Sequence, residues 1–189
     1  MGIPEKGEVI SEKNTSPCQT NYQLVNTDTF YELYEMIRKV YIDTSVIGGY
    51  FDEEFEFWTK LFFQAVLENK YRIAVSEILF TELSGAPDQV RLLLDSITDE
   101  HKVMTEYNEE VRSLADRYLE ANIVGPTSLT DCRHIATATV NEIDILTSWN
   151  FKHIVNLDKI HLYNGVNLQN GYRTIEIRTP RELLSYEND

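Results

Sequence analysis

The chain has 189 residues, of which 42% are hydrophobic and 25% charged, and its formal net charge is −14. This length fits one domain with a substantial core, and the composition is that of an ordinary globular protein. It excludes a membrane-spanning helix, because no apolar run approaches the roughly 20 residues that such a helix needs.

The N-terminus and the cysteines indicate a cytoplasmic location. The first 18 residues are polar and lack the apolar stretch of a signal peptide. Cys18 and Cys132 form neither a metal-binding spacing nor a disulfide framework. The strongly negative charge argues against a nucleic-acid partner, because such binders usually carry a basic face. Two interpretations stay open: acidic residues hold divalent metals that bridge to phosphate, or the partner is a protein.

Residues 1–35 are predicted to be a flexible or helical N-terminal extension, and 36–189 to be the main domain. Residues 1 to about 20 are polar without any period, which is typical of a flexible tail. A short helix is predicted from Asp28 to Arg38.

The main domain alternates between strands and helices. Strands are predicted at 39–43, 71–75, 102–105, 144–148 and 174–177. Helices are predicted at 55–69, after Ser76 up to Gly85, from 89 onwards, at 109–121, from 128 to about 140, and after Thr179. Ser128 and Asp131 have the spacing of a capping box. This alternation predicts an α/β fold of three layers, α/β/α, with a central, mostly parallel sheet of about five strands.

Acidic and polar residues follow the predicted strands, where ligands bind in parallel sheets. They are Asp43 after KVYI (39–42), Glu77 and Glu82 after the second strand, Asp131 at the start of a helix, and Ser148 with Asn150 after DILT (144–147). Carboxylates brought together repel one another unless a hard cation such as Mg²⁺ or Mn²⁺ neutralises them. Such metals activate water and stabilise charge on phosphoryl groups. These residues therefore suggest a metal site.

Four segments occur in an order and spacing that resemble the signature blocks of PIN domains, and more narrowly of bacterial VapC-like toxin ribonucleases. The match runs from about Met36 to the C-terminus, about four-fifths of the chain. The segments read VYIDTSVIGGYFD (40–52), VSEILFTEL (75–83), DCRHIATATVNEIDILTSWNFKHI (131–154) and GYRTIEIRTP (171–180). The resemblance implies a Mg²⁺- or Mn²⁺-dependent endoribonuclease with an RNA substrate. It also implies the toxin of a type II toxin–antitoxin pair, a cognate antitoxin and a homodimer.

The resemblance also implies roles for five residues. Asp43, Glu82 and Asp131 stand at the positions of the three metal-binding acids, and Ser148 at that of a supporting Thr or Ser. Asn150 occupies the position of a fourth acid, and its amide contributes no charge. This departure keeps a second function open: a catalytically weakened PIN-fold module that binds protein or RNA. A phosphatase-like enzyme for small phosphate esters is a third.

Each acid also has a purely structural interpretation. Asp43 could cap the turn after it through Thr44 and Ser45, Asp131 could be only a capping-box acid, and Glu82 a solvated helix residue. Asn150 could be a turn residue. His134 is expected to be packed or hydrogen-bonded rather than catalytic, and Cys132 to be a packing residue. The aromatic residues Tyr50, Phe51, Phe55, Phe57 and Trp58 are expected in the core. Residues able to meet RNA are Arg133, Lys152, Arg173, Arg178 and Arg181.

Overall fold

The computed structural model describes residues 9–11, 23–25 and 37–185, and the chain divides into two compact units, Met1–Ile37 and Arg38–Asp189. In the first unit, strand β1 (Val9–Ser11) pairs antiparallel with β2 (Gln23–Val25). The rest of the predicted tail lies outside the described residues. So do residues 28–36 of the helix predicted there, whereas Arg38 begins a strand.

The second unit contains one parallel sheet of five strands. They are β3 (Arg38–Ile42), β4 (Tyr71–Val75), β5 (Lys102–Met104), β6 (Ile145–Thr147) and β7 (Glu176–Arg178). The strand order is β5-β4-β3-β6-β7, and every neighbouring pair is parallel. The predicted α/β/α class is confirmed, with a sheet that is wholly rather than mostly parallel.

Helices connect the strands. They are α1 (Thr44–Gly49), α2 (Glu56–Leu67), α3 (Glu77–Leu83), α4 (Asp88–Ser96), α5 (Glu109–Glu120), α6 (Leu129–Val140), α7 (Leu157–Gln169) and α8 (Pro180–Ser185). Short 3₁₀ turns lie at Asp99–His101 and Pro126–Ser128. None of the helices described is long and apolar enough to cross a lipid bilayer.

The sheet has a buried core on each face, because successive strand residues point to opposite sides. On β3, Val40 and Ile42 pack into one core with residues of α1, α2, α3, α4 and α8. Tyr41, between them, packs into the other core with α5, α6 and α7. All three residues are fully buried. Helices therefore cover both faces of the sheet. A ligand would bind at the carboxyl ends of the strands.

Three sequence expectations need correction. Ser128 makes no capping hydrogen bond to α6, because it ends a 3₁₀ turn and lacks the extended backbone of a capping residue. Strand β7 begins at Glu176, two residues after the predicted start. Phe57 is 62% exposed rather than core, and Phe51 is 39% exposed.

Helices α1 and α7 had no counterpart in the prediction. Helix α7 lacks a clear apolar stripe, since Leu157 and Leu168 are 68% and 62% exposed and Asn167 is buried. Its start is nevertheless marked by Asn156, whose side chain accepts a hydrogen bond from Lys159 N.

Candidate active site

The sheet order places the predicted site residues side by side. Strand β3 lies between β4 and β6, and all three are parallel, so their carboxyl ends meet at one edge. Asp43 follows β3, Glu82 lies in α3 after β4, and Ser148 follows β6. Asp131 reaches the same edge from α6 and contacts Asn150. The structure therefore brings together the five residues that the resemblance implies.

Asp43 is the most enclosed of the acids, at 4% exposure. Its Oδ1 accepts hydrogen bonds from Ser45 Oγ at 2.6 Å and Val46 N at 3.3 Å, and its Oδ2 accepts from Ser148 Oγ at 2.6 Å. Burial raises the pKa of this carboxyl, against the opposing effects of His134 and the hydrogen bonds. Asp43 does cap α1, as the structural interpretation expected, and it also lies in the cluster.

The two serines beside Asp43, Ser45 in α1 and Ser148 after β6, connect the segments that follow β3 and β6. Ser148 Oγ lies 3.3 Å from Ser45 Oγ and accepts a hydrogen bond from Asn150 N at 2.9 Å. Ser45 Oγ accepts a hydrogen bond from Trp149 N at 2.8 Å. The Asp43 carboxylate is therefore oriented by one residue of α1 and one residue of the segment after β6.

Glu82 is held by two donors. Its Oε2 accepts hydrogen bonds from Thr44 Oγ1 and from His134 Nε2, the latter at 2.9 Å. Partial burial by itself raises the pKa of Glu82, but the hydrogen bonds from His134 and Thr44 outweigh it, and the net shift is downward. The side chain is 34% exposed. Glu82 thus presents an ionised carboxylate at the surface of the cluster.

Behind Glu82 runs a buried chain of polar side chains. His134, 2% exposed, places its Nδ1 2.7 Å from the Tyr41 hydroxyl, and that hydroxyl lies 2.6 Å from Ser76 Oγ. His134 is therefore hydrogen-bonded and packed within the core, and it orients Glu82. Sequence reasoning missed Tyr41 and Ser76 as members of the site. The alternation of side chains along β3 could have indicated that Tyr41 faces α6, on the side of the sheet opposite to Val40 and Ile42.

Asp131 is paired with the amide that replaces a fourth acid. Asn150 Nδ2 donates a hydrogen bond to Asp131 Oδ1 at 2.9 Å, and Asn150 Oδ1 accepts one from His153 N at 3.0 Å. The backbone donor fixes the orientation of the amide, since only its oxygen can accept. Burial raises the pKa of Asp131; His153 and His134 oppose this, and the charge of Asp43 adds to it.

The donor chemistry of the cluster fits a hard divalent cation. Carboxylate, hydroxyl and amide oxygens are the ligands that Mg²⁺ and Mn²⁺ prefer, and the charge of Asp43 disfavours ionisation of Asp131. Within residues 37–185, however, no group of three or more His, Cys, Asp or Glu side chains stands ready to hold a metal. The carboxylates point at protein donors instead of at a common centre, so their side chains must turn to share an ion.

Three further acidic or thiol residues fall outside the cluster. Glu77 lies exposed in the first turn of α3, where a carboxylate favours the helix dipole. Asp144 lies at the opposite edge of the sheet and accepts a hydrogen bond from Lys39 N at 2.9 Å. Cys132 is fully buried, and burial raises the pKa of its thiol to about 12, so it is an inert packing residue.

The five basic residues expected to meet RNA do not form one patch. Arg173 lies at the opposite edge, in a cavity with Asp144, and pairs with Glu142. Arg178 pairs with Glu176, and the guanidinium of Arg181 lies over the Trp58 ring. Arg133 lines a cavity together with Glu82.

Comparison with known families found no matching family model, and comparison with curated proteins found no match either.

Proposed function

We propose that this chain is a divalent-metal-dependent endoribonuclease. The observation that carries the proposal is the meeting of Asp43, Glu82 and Asp131 at the carboxyl edge of the sheet. They come from three separate segments of the chain and are each oriented by neutral or histidine donors. Buried carboxylates in a structural role are usually paired with a cation or with several backbone amides. Asp43 has two hydroxyls and one amide, and its raised pKa marks a charge that a cation would stabilise.

The chain's own residues would prepare the site for hydrolysis. Ser45 and Ser148 fix the direction of the Asp43 carboxylate, and His134 with Thr44 keeps Glu82 ionised. A bound Mg²⁺ or Mn²⁺ would supply Lewis-acid polarisation of a phosphoryl oxygen and an acidified water. Water adds to phosphorus, the bond to the 3′ oxygen breaks, and that oxygen takes up a proton. The products are a 3′-hydroxyl and a 5′-phosphate.

The biological role that we propose is that of a toxin. The VapC-like resemblance implies a cognate antitoxin that covers the acidic edge, and a homodimer. Expression of the wild-type chain should then arrest growth in a bacterial host, and expression of Asp43→Asn should not. Equal growth with both chains, at equal protein levels, would refute the toxin role without refuting the nuclease.

A binding module is the second candidate, and three observations favour it. The Asn150 amide already satisfies Asp131, and the described residues contain no ready-made group of three metal ligands. The net charge of −14 also disfavours RNA as a partner. Such a module would bind its partner equally well with and without metal.

Cleavage of a mixed pool of labelled single-stranded and structured RNAs separates the two. The wild type and Asp43→Asn would be compared in Mn²⁺, Mg²⁺ and EDTA, with end-group analysis of the products. The nuclease proposal expects metal-dependent cleavage that the substitution removes. Absence of cleavage by the wild type in either metal favours the binding module. Equal cleavage by both chains would mean that the active site lies elsewhere.

A further inference from the structure

The cavity that Arg133 shares with Glu82 lies between α3 and α6, beside the acidic cluster. Its volume is about 370 Å³. Besides Glu82, its lining includes two arginines, an aromatic ring and a further carboxylate: Arg112, Arg133, Tyr107 and Glu77. Because Glu82 also belongs to the acidic cluster, a ligand in this cavity lies next to that cluster.

Arg133 is the feature that points to a ligand. It lines the cavity, and among the described residues its guanidinium forms no hydrogen bond and no ion pair. The guanidinium presents several N–H groups in a fixed fork that matches phosphate oxygens. A phosphate in the cavity would accept hydrogen bonds from the terminal guanidinium nitrogens of Arg133.

Arg112 and Tyr107 add a flat surface on the same cavity. The Arg112 guanidinium carbon lies 5.1 Å from the centre of the Tyr107 ring. The ion pair between Arg112 and Glu109 is long, at 3.4 Å, and exposed, so it holds the side chain weakly. Unpaired RNA bases stack on aromatic rings and on guanidinium planes. The cavity therefore combines a phosphate donor with a stacking surface, on a protein that is otherwise strongly acidic.

We propose that this cavity binds one nucleotide of single-stranded RNA adjacent to the bond held at the acidic cluster. Arg133 contacts its phosphate, and the Tyr107–Arg112 pair stacks on its base. Glu77 lines the same cavity and opposes the phosphate. This inference rests on the proposed nuclease function, because it supplies the RNA-binding step that the net charge of the chain disfavours.

The test is binding of a fluorescent single-stranded RNA, followed by anisotropy at several salt concentrations. Ca²⁺ would replace Mg²⁺, since it takes the same oxygen ligands. Arg133→Gln should weaken binding about tenfold or more, the loss expected for one charge-assisted hydrogen bond. It should also reduce the slope of log K against log salt by about 0.7, because one phosphate contact is lost.

Three variants serve as controls. Arg133→Lys keeps the charge and should keep most of the salt slope. Arg173→Gln removes an arginine at the opposite edge of the sheet and should change neither affinity nor slope. Glu77→Gln removes the opposing charge and should tighten binding. Thermal melting of Arg133→Gln and Arg133→Lys checks that both fold as the wild type does.

The outcomes separate this inference from the nuclease proposal. Unchanged affinity and slope in Arg133→Gln would overturn the nucleotide site, even if metal-dependent cleavage is found. A wild type that binds no RNA would overturn it too. Arg133-dependent binding by a chain that cleaves nothing would support the site and refute the nuclease.

Discussion

Asn150→Asp is the substitution that most sharply tests the geometry of the acidic cluster. The change restores the acid that the PIN pattern expects, but it replaces an amide donor that lies 2.9 Å from Asp131 Oδ1. Without metal, one hydrogen bond to a charged group is lost, at a cost of about 1.5–3 kcal/mol. Two carboxylates then face each other, and like charges about 4 Å apart repel by up to about 4 kcal/mol near a protein surface.

Because turning of the side chains relieves part of that repulsion, we expect the free energy of unfolding in EDTA to fall by about 2–4 kcal/mol. For a domain of this size, that lowers the melting temperature by roughly 4–16 °C. In Mn²⁺ the repulsion becomes an attraction for the ion, so Asn150→Asp should recover stability in proportion to the metal it binds. Asn150→Ala, which loses the hydrogen bond without adding charge, should melt below the wild type in both buffers.

Melting curves of the wild type, Asn150→Asp and Asn150→Ala, each in EDTA and in Mn²⁺, give the comparison. If Asn150→Asp melts like the wild type in EDTA, the amide does not support Asp131 as the structure shows. If Mn²⁺ stabilises Asn150→Asp no more than Asn150→Ala, a carboxylate at position 150 does not join the cation site.

Two further predictions concern the support of the site. A methyl group at Gly49 would lie 2.8 Å from the Trp149 indole, whereas one at Gly48 meets nothing within 4 Å. Gly49→Ala should therefore lose about 1–3 kcal/mol of stability by overpacking, and Gly48→Ala should gain up to about 1 kcal/mol of helix propensity, both read from denaturant unfolding. Equal stability of the two variants would contradict the packing of Trp149 on α1. Tyr41→Phe leaves His134 without its buried hydroxyl partner, and should cost about 1–3 kcal/mol and lower the cleavage rate roughly 10–100-fold. Wild-type cleavage by a destabilised Tyr41→Phe would limit this chain of hydrogen bonds to a structural role.

The sheet could be predicted from sequence because each strand is a short apolar run between polar or turn residues. The strand predicted at 71–75 has the same bounds in the structure. Ser76 caps α3 as expected, because its side chain accepts a hydrogen bond from Leu79 N. Helix α7 escaped prediction because its leucines are exposed and its middle contains Asn164 and Gly165, which weaken a helical pattern.

The positions of the candidate site residues could likewise be predicted, but their contacts could not. Asp43 follows β3 and Ser148 follows β6, and these two strands are paired in the sheet. That the carboxyl ends of neighbouring parallel strands lie together follows from the fold class. The direction of the Asn150 amide depends on the backbone N–H of His153, and the link from Tyr41 to Glu82 depends on the rotamer of His134. Such details depend on packing between elements distant in sequence, which no local pattern encodes.

Calorimetric titration of Mn²⁺ into the wild type, Asp43→Asn and Asp144→Asn tests the central claim most directly. Asp144 is a matched control, because it is an exposed aspartate at the opposite edge of the same sheet, and an asparagine there can still accept from Lys39 N. We predict that the wild type and Asp144→Asn bind Mn²⁺ with the same affinity and that Asp43→Asn does not bind it. A wild type that takes up no Mn²⁺, or an Asp43→Asn variant that binds as tightly as the wild type, would contradict a metal site at the acidic cluster.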